Sequence, residues 1–136
     1  MTLGAKIQEI GQDAFAGSKV KYVHYAGTKA QWKKIKIGKG NDPLKKATRY
    51  YKSSGPITKL TLSKTSKTLK VGKTLTLTAK ATPKKAAPKL KWTSSKPNIA
   101  SVKNGVVKAK KSGKTTITCE ALDGSGLKVK CKIQVK

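Results

Sequence analysis

The sequence predicts a mainly β protein: a β-sandwich over residues 57–136, preceded by a small repeat-like segment with one short helix. Three observations carry this expectation. From residue 57 onward apolar and polar residues alternate, most clearly where Val129, Cys131, Ile133 and Val135 interleave with Lys128, Lys130, Lys132 and Lys136; period two is the signature of strands with one buried and one solvated face. Turn residues recur between these short runs, the spacing of a two-sheet sandwich. The composition also shifts near residue 52, before which lie the only Phe, all four Tyr and one of the two Trp.

The first segment begins with an extended stretch at Leu3. Ile7, Ile10-Gly11 and Ala14-Phe15 follow, and then a second extended stretch ends at Tyr25, 22 residues after Leu3. That interval falls in the range of roughly 20 to 29 residues that marks a stacked-coil repeat. Thr28 is placed to cap a short helix from Lys29 to about Ile35, and Trp32 and Ile35, three apart, share its apolar face. Gly38, Gly40 and Asn41-Asp42-Pro43 predict a turn, and Tyr50 and Tyr51 end a last strand. The polar stretch Lys52–Pro56 closes on Gly-Pro and reads as a linker. The expected organisation is therefore a repeat end over 1–51, a linker over 52–56 and a sandwich over 57–136. One coil cannot bury its own apolar side, and about three are needed for stability. The segment is thus expected to end a longer array; were Met1 the true start, Leu3, Ile7, Ile10 and Phe15 would form a sticky or self-associating face.

The second segment parses into about seven strands. Leu60 and Leu62 lie in the first, and Leu69 and Val71 precede a turn at Gly72. Leu75, Leu77, Ala79 and Ala81 alternate with Thr74, Thr76, Thr78 and Lys80 until Pro83 stops the run. Leu90 and Trp92 come next, with Trp92 expected in the core, where sandwiches bury a tryptophan. Ile99 and Val102 follow the turn at 94–98, and Asn104-Gly105 is a strong hairpin signal before Val106, Val107 and Ala109. Ile117, Cys119 and Ala121 face inward on the penultimate strand, and Asp123-Gly124-Ser125-Gly126 turns the chain into the last one.

The run TLSKTSKTLKVGKTLTLTAKATP, then KWTSSKPNIASVKNGVVKAKKSGKTTITCEA, then the D-G-S-G turn and KVKCKIQV resembles a group 2 bacterial immunoglobulin-like domain across residues 57–136. The resemblance rests on Val71-Gly72, Pro83, Trp92 to Ser95, Val102, Gly105 to Val107, Ala109, Gly113 and Thr115 to Thr118. Residues 3–51 resemble, less specifically, the C-terminal end of a bacterial surface-protein leucine-rich repeat array. Ile10-Gly11, Ala14-Phe15, Val20, Val23 and Tyr25 match the repeat, and Gly27-Thr28, Gln31-Trp32, Ile35, Ile37-Gly38 and Asn41 match the closing module. Ser18 stands where that family often has Cys or Asn. Both families occur in large secreted or surface-attached bacterial proteins, so the resemblance implies adhesion, binding or display outside the cell, with any signal sequence lying outside this chain. It implies a cell-envelope or host protein or glycan as partner without naming one.

The net charge of +27 comes from 32 basic and 5 acidic residues, and Arg49 is the only arginine. Arginine is the residue of bidentate phosphate and base-edge recognition, whereas lysine is a hydrated point charge suited to open surface. Non-specific attraction to polyanions at low salt is expected, but not a specific nucleic-acid reader. An alternative function is a cationic protein whose lysine surface itself binds polyanions or membranes. Lys128, Lys130, Lys132 and Lys136 would be its anion-contacting stripe, unless they only blunt an edge strand. Tyr22, Tyr25, Trp32, Tyr50 and Tyr51 are candidates for carbohydrate stacking or for packing. Cys119 and Cys131 fall opposite each other if the last turn is centred near Gly124-Ser125, which permits either a bridge or two buried thiols. No cofactor or metal is expected. Glu9 and Asp13 are four apart but have no paired base or nucleophile, His24 reads as an exposed strand residue, and one acid in a D-G-S-G turn is too few for calcium. No stretch has the apolar length of a membrane-spanning helix.

Overall fold

The computed structural model describes residues 1–83 and 88–136. The first segment is a short coil of parallel ladders. Strands β1 (Thr2–Leu3), β3 (Tyr22–Tyr25) and β5 (Thr48–Tyr51) stack in parallel, with Leu3 opposite Tyr25 and Tyr25 opposite Tyr51. The 22-residue interval is thus the pitch of the first turn. A second parallel ladder pairs β2 (Glu9–Ile10) with β4 (Lys36–Ile37).

Helix α1 (Lys29–Lys33) starts where the cap was expected. The Gln31 amide donates to Thr28 Oγ1 at 3.2 Å and the Thr28 amide donates to Gln31 Oε1 at 2.8 Å, a reciprocal capping box. Asn41-Asp42-Pro43 departs from expectation by opening a second helix, α2 (Asp42–Lys46), with Pro43 in its first turn, where its missing amide hydrogen costs nothing.

Alternation along β3 and β5 sorts their side chains. Val23 and Tyr25 join Ile10, Trp32, Ile35, Leu44 and Ala47 in one core. Arg49 stacks over Trp32, its guanidinium 5.6 Å from the ring centre, and donates to the carbonyls of Leu44 and Lys45 at the end of α2. Asn41, fully buried, donates to the carbonyls of Gly11 and Gly38 at 2.8 and 2.9 Å and accepts from the Phe15 amide at 2.9 Å, tying three loops together. Among the described residues, Ser18 Oγ is the one buried side-chain polar atom without a partner.

The second segment is a two-layer sandwich. One layer has the order β10-β13-β14-β7, from β7 (Ser66–Leu69), β10 (Leu90–Ser94), β13 (Gly113–Ala121) and β14 (Lys128–Val135); all its pairs are antiparallel except β14 with β7. Across from it lie a three-stranded sheet of β11 (Ala100–Lys103), β12 (Val106–Ala109) and β8 (Thr74–Thr76) and a separate antiparallel pair of β6 (Lys59–Leu62) and β9 (Ala79–Thr82). The layers meet where Leu69, Ile117, Cys131, Ile133 and Val135 of the first pack on Leu77, Ala100, Val107 and Ala109 of the second.

Two runs differ from expectation. The stretch from Leu75 to Ala81 is not one strand: after Thr76 it leaves β12 and from Ala79 it pairs with β6. Val71 is exposed in a turn beyond β7. The Asn104-Gly105 hairpin forms as expected, with φ of 49° and 83° and Lys103 opposite Val106, the two positive values that a type I′ turn requires. A Cβ on Gly105 would also lie 2.6 Å from the Leu77 carbonyl oxygen.

Replacing Asn41 with Ala removes three hydrogen bonds from a fully buried side chain to part-buried main-chain groups, so Asn41→Ala should destabilise the first segment by about 3 kcal/mol. Urea unfolding monitored through Trp32 measures it.

Candidate functional site

The most closely built polar cluster lies where the two segments meet. In β3 and β5 the residues that face away from the first core are Tyr22, His24, Thr48 and Tyr50. His24 is buried at 1% exposure, not exposed as its place on an alternating strand suggested. The outward beat was read correctly, but the 53–57 segment and the turn after β13 cover it. Its Nε2 lies 2.6 Å from the Asp123 carbonyl oxygen, which can only accept, so Nε2 donates. Its Nδ1 is 2.9 Å from Ser53 Oγ, and the ring stacks on Tyr50 with centroids 5.0 Å apart and planes 12° apart.

Asp123 is equally buried. Its Oδ2 accepts from the Ile57 amide at 2.8 Å and its Oδ1 from the Ser125 amide at 3.0 Å. Burial pushes this carboxyl up, but the amide of Ile57, the hydrogen bonds of Ser125 and the proximity of His24 outweigh it, and the group sits below its ordinary value. Tyr50 completes the junction by donating to the Leu122 carbonyl and accepting from the Lys89 amide at 3.2 Å. Burial is the main cause of a raised phenol pKa here. Lys89 and Leu122 are themselves joined, Leu122 N to Lys89 O at 2.8 Å, so one phenol grips both strands at that end of the sandwich. In the connecting stretch Ser53, Gly55 and Ile57 are buried, and Gly55 takes φ of 140°.

The aromatic candidates do not form an open platform. Tyr25, Trp32 and Tyr50 are buried and Tyr22 and Tyr51 half-buried; Trp32 sits edge-on to both Tyr25 and Tyr51. Trp92 is half-buried, not enclosed, and bridges the two apolar clusters of the sandwich.

The cysteine pairing needs a correction. Cys131 lies opposite Ile117 and Cys119 opposite Val129, because the β13–β14 connection is centred on Gly124, one step short of the expected pivot. The two thiols are diagonal neighbours on the inner face, free and fully buried in different clusters. Burial pushes Cys119 up to about 11 and raises Cys131 as well, which keeps them protonated and unreactive.

Lys128, Lys130, Lys132 and Lys136 are all exposed. The edge-strand explanation fails for Lys132 and Lys136, where β7 flanks β14, while Lys128 and Lys130 precede the β7 ladder and pair with β13 alone. Lys128 stands opposite Glu120 with an Nζ–Oε1 distance of 3.9 Å, an exposed pair of little energetic weight. Glu9 and Asp13 are exposed on the β2 side of the coil, and neither hydrogen-bonds His24.

This sandwich belongs to a known class. The bacterial Ig-like domain (group 2) model matches residues 56–133, and the chain is a member of that family. It is 44% identical over 80 residues to an uncharacterized protein of Clostridium acetobutylicum, a match covering 57% of this chain and 8% of that protein; the chain therefore spans a small fraction of that relative's length. The surface layer protein SbsC, domains 1-6, superposes with a TM-score of 0.52 at 19% identity, covering 65% of this chain and 14% of the other. A second crystal structure of the same S-layer protein gives a TM-score of 0.52 at 19% identity over 66% of this chain and 14% of that one. These likenesses establish the fold.

The depressed carboxyl at the junction sets a sign for pH dependence. Its contribution to stability is complete above the ordinary carboxylate range and drains away as pH falls through the lower folded-state value. Asp123→Asn should lower the melting temperature at neutral pH and flatten the acid limb of the stability curve. Tyr50→Phe, which keeps the ring stacked on His24, should cost about 1–2 kcal/mol with that limb unchanged. Thermal melts from pH 2 to 8 distinguish the two.

Proposed function

We propose that the chain is a non-enzymatic module of a secreted or cell-surface bacterial protein, in which the Ig-like sandwich serves as a rigid spacer or adhesive unit. Residues 1–51 are in this reading the last repeat and C-terminal cap of a leucine-rich repeat array, 52–56 the connection and 57–136 the sandwich. The partner would be a protein or glycan of the host or of the cell envelope. The observation that carries the reading is the junction. A family Ig-like domain is fastened to a parallel coil by His24, Tyr50 and Asp123, all buried and all hydrogen-bonded across the boundary. A loose tether would leave such groups to water; burying and satisfying them favours one fixed orientation.

Further support comes from the parallel stacking of Leu3, Tyr25 and Tyr51 at matching positions of successive coils, as a repeat array requires, and from Asn41, whose side chain closes the turn at the position the resemblance marks. The fold is shared with domains of a protein titled a surface layer protein, and the Clostridium relative is far longer than this chain. Both fit a module in a larger extracellular polymer.

Two measurements test the reading. A membrane-impermeant amine-reactive biotin applied to intact cells of the producing bacterium should label the lysines of the chain, or the protein should be recovered from the medium. Labelling only after lysis would overturn surface placement. Backbone ¹⁵N relaxation should give a single rotational correlation time for residues 22–51 and 100–121; two distinct times would remove the rigid-spacer role. The second reading, a cationic surface that binds polyanions or membranes, has a specific observation behind it at one place, a cleft on the outer face of the β10-β13-β14-β7 sheet.

A further inference from the structure

One end of that outer face is hollowed into a cleft of about 720 Å³ whose walls come from β7, β13, β14 and the turn that follows β10. Its floor is set by register. Thr116 lies opposite Lys132, which lies opposite Ser66, and Lys114 lies opposite Gln134, which lies opposite Thr68. Neighbouring strands are about 4.8 Å apart, so these three-residue rows run across the sheet for roughly 10 Å. Beyond β10, the Ser95-Lys96 turn forms one wall, and Lys67 on β7 stands at the other side.

Two features separate this cleft from ordinary lysine surface. First, the Ser95-Lys96 wall is fixed from beneath. Thr115, buried at 5% exposure, has its Oγ1 at 3.0 Å from Ser94 Oγ and 3.1 Å from Ser95 Oγ, and accepts from the Lys96 amide at 3.0 Å. The Thr116 amide donates to Ser95 Oγ at 3.0 Å. Second, the charge is uncompensated. Lys67, Lys96, Lys114 and Lys132 all line the cleft, and among the described residues no acid does. The only acids in residues 57–136 are Glu120 and Asp123. Glu120 is opposite Lys128 at the far end of β13, four residues and roughly 13 Å from Thr116. Clustered cations on a preset scaffold focus an anionic ligand.

The geometry points to a binding site for an acidic polysaccharide chain laid across the strands. The ammonium groups of Lys96, Lys114 and Lys132 would meet its sulfates or carboxylates, and the hydroxyls of Ser66, Thr68 and Thr116 with the Gln134 amide would meet its sugar hydroxyls; Lys67 lies on the opposite beat of β7, opposite the inward-facing Ile133. Nucleic acid is the poorer fit: the lining contains no aromatic to stack a base and no arginine to read one, and Arg49 is committed to Trp32 in the other segment. The site stands on the sandwich alone; its loss would leave the surface-module reading intact, and the reverse also holds.

Heparin is the probe, with single-stranded DNA of equal charge as competitor, in a salt series around 0.15 M, about where screening falls to 8 Å. The native protein should bind heparin more tightly than the DNA. The cleft triple K96Q/K114Q/K132Q should lose about tenfold in affinity or more, and its log–log salt slope should fall by about one unit for each lysine removed. The charge-matched triple K103Q/K108Q/K110Q on the opposite sheet should change less than about threefold on the same counterion argument. Equal losses in both triples, or DNA binding as tightly as heparin, would show that net charge alone acts and overturn the site. In the unaltered protein, heparin titration should shift the backbone amides of Lys114, Thr116 and Lys132 ahead of those of Lys103 and Lys108; a uniform response would overturn it equally.

Discussion

The carboxylate of Asp123 is the contact on which the arrangement of the chain depends. It sits in a turn that would otherwise be an ordinary hairpin end, but it accepts the first inward amide of the sandwich, Ile57, while its own main-chain oxygen receives His24 from the preceding coil. One residue thereby fixes where the sandwich begins and what it rests on. A buried anion is costly unless it is hydrogen-bonded or lies near a compensating group. The surroundings meet that condition with two backbone amides and a nearby imidazole, so the loop from 122 to 127 and the stretch from 53 to 57 are ordered together. Tyr50 works in parallel, with a phenol that cannot leave without releasing both Lys89 and Leu122.

The unusual charge divides into parts with different physical meanings. Many lysines occupy outward beats of strands, where a sheet with one buried face must place polar groups, and others lie in turns, loops and the two helices. The one arginine is half-buried, engaged over Trp32 and with the carbonyls at the end of α2. The acids are few, and the one that matters for structure is enclosed. What is left is a surface of nearly uniform sign, in which shape rather than charge count distinguishes one region from another.

Much of this was legible in the residues. Alternation located the inner faces of β13 and β14, Thr28 and Gln31 announced their helix, Asn104-Gly105 announced its hairpin, and the 22-residue interval from Leu3 to Tyr25 was the pitch of the coil. These signals are local, and local chemistry determines them. The junction was not legible: His24 alternates as an exposed strand residue would, and nothing in its neighbourhood announces that residues 99 positions away cover it. The place of β14 inside its sheet was hidden for the same reason, since the strand that flanks it, β7, precedes it by more than fifty residues. The Cys119–Cys131 register failed by a smaller margin. A turn of four small polar residues admits more than one centre, and moving the centre by one residue shifts every cross-strand pair by two. The change of partner between β8 and β9 leaves the alternation unbroken, so periodicity could not reveal it.

The crossing of the first sandwich strand from one layer to the other has a mechanical consequence. After Leu62 the chain leaves β9 and enters β7, which lies parallel to β14. Residues near the two ends of the Ig-like segment therefore run side by side, joined by bonds such as Lys132 N to Thr65 O at 2.9 Å and Lys136 N to Leu69 O at 2.9 Å. Tension applied through residues 57 and 136 pulls these neighbours past each other along their length. The ladder is then loaded in shear, with its bonds sharing the force, and not peeled one bond at a time from an end. Such a connection yields late and all at once, so the domain holds its length under a pull until the whole ladder gives way.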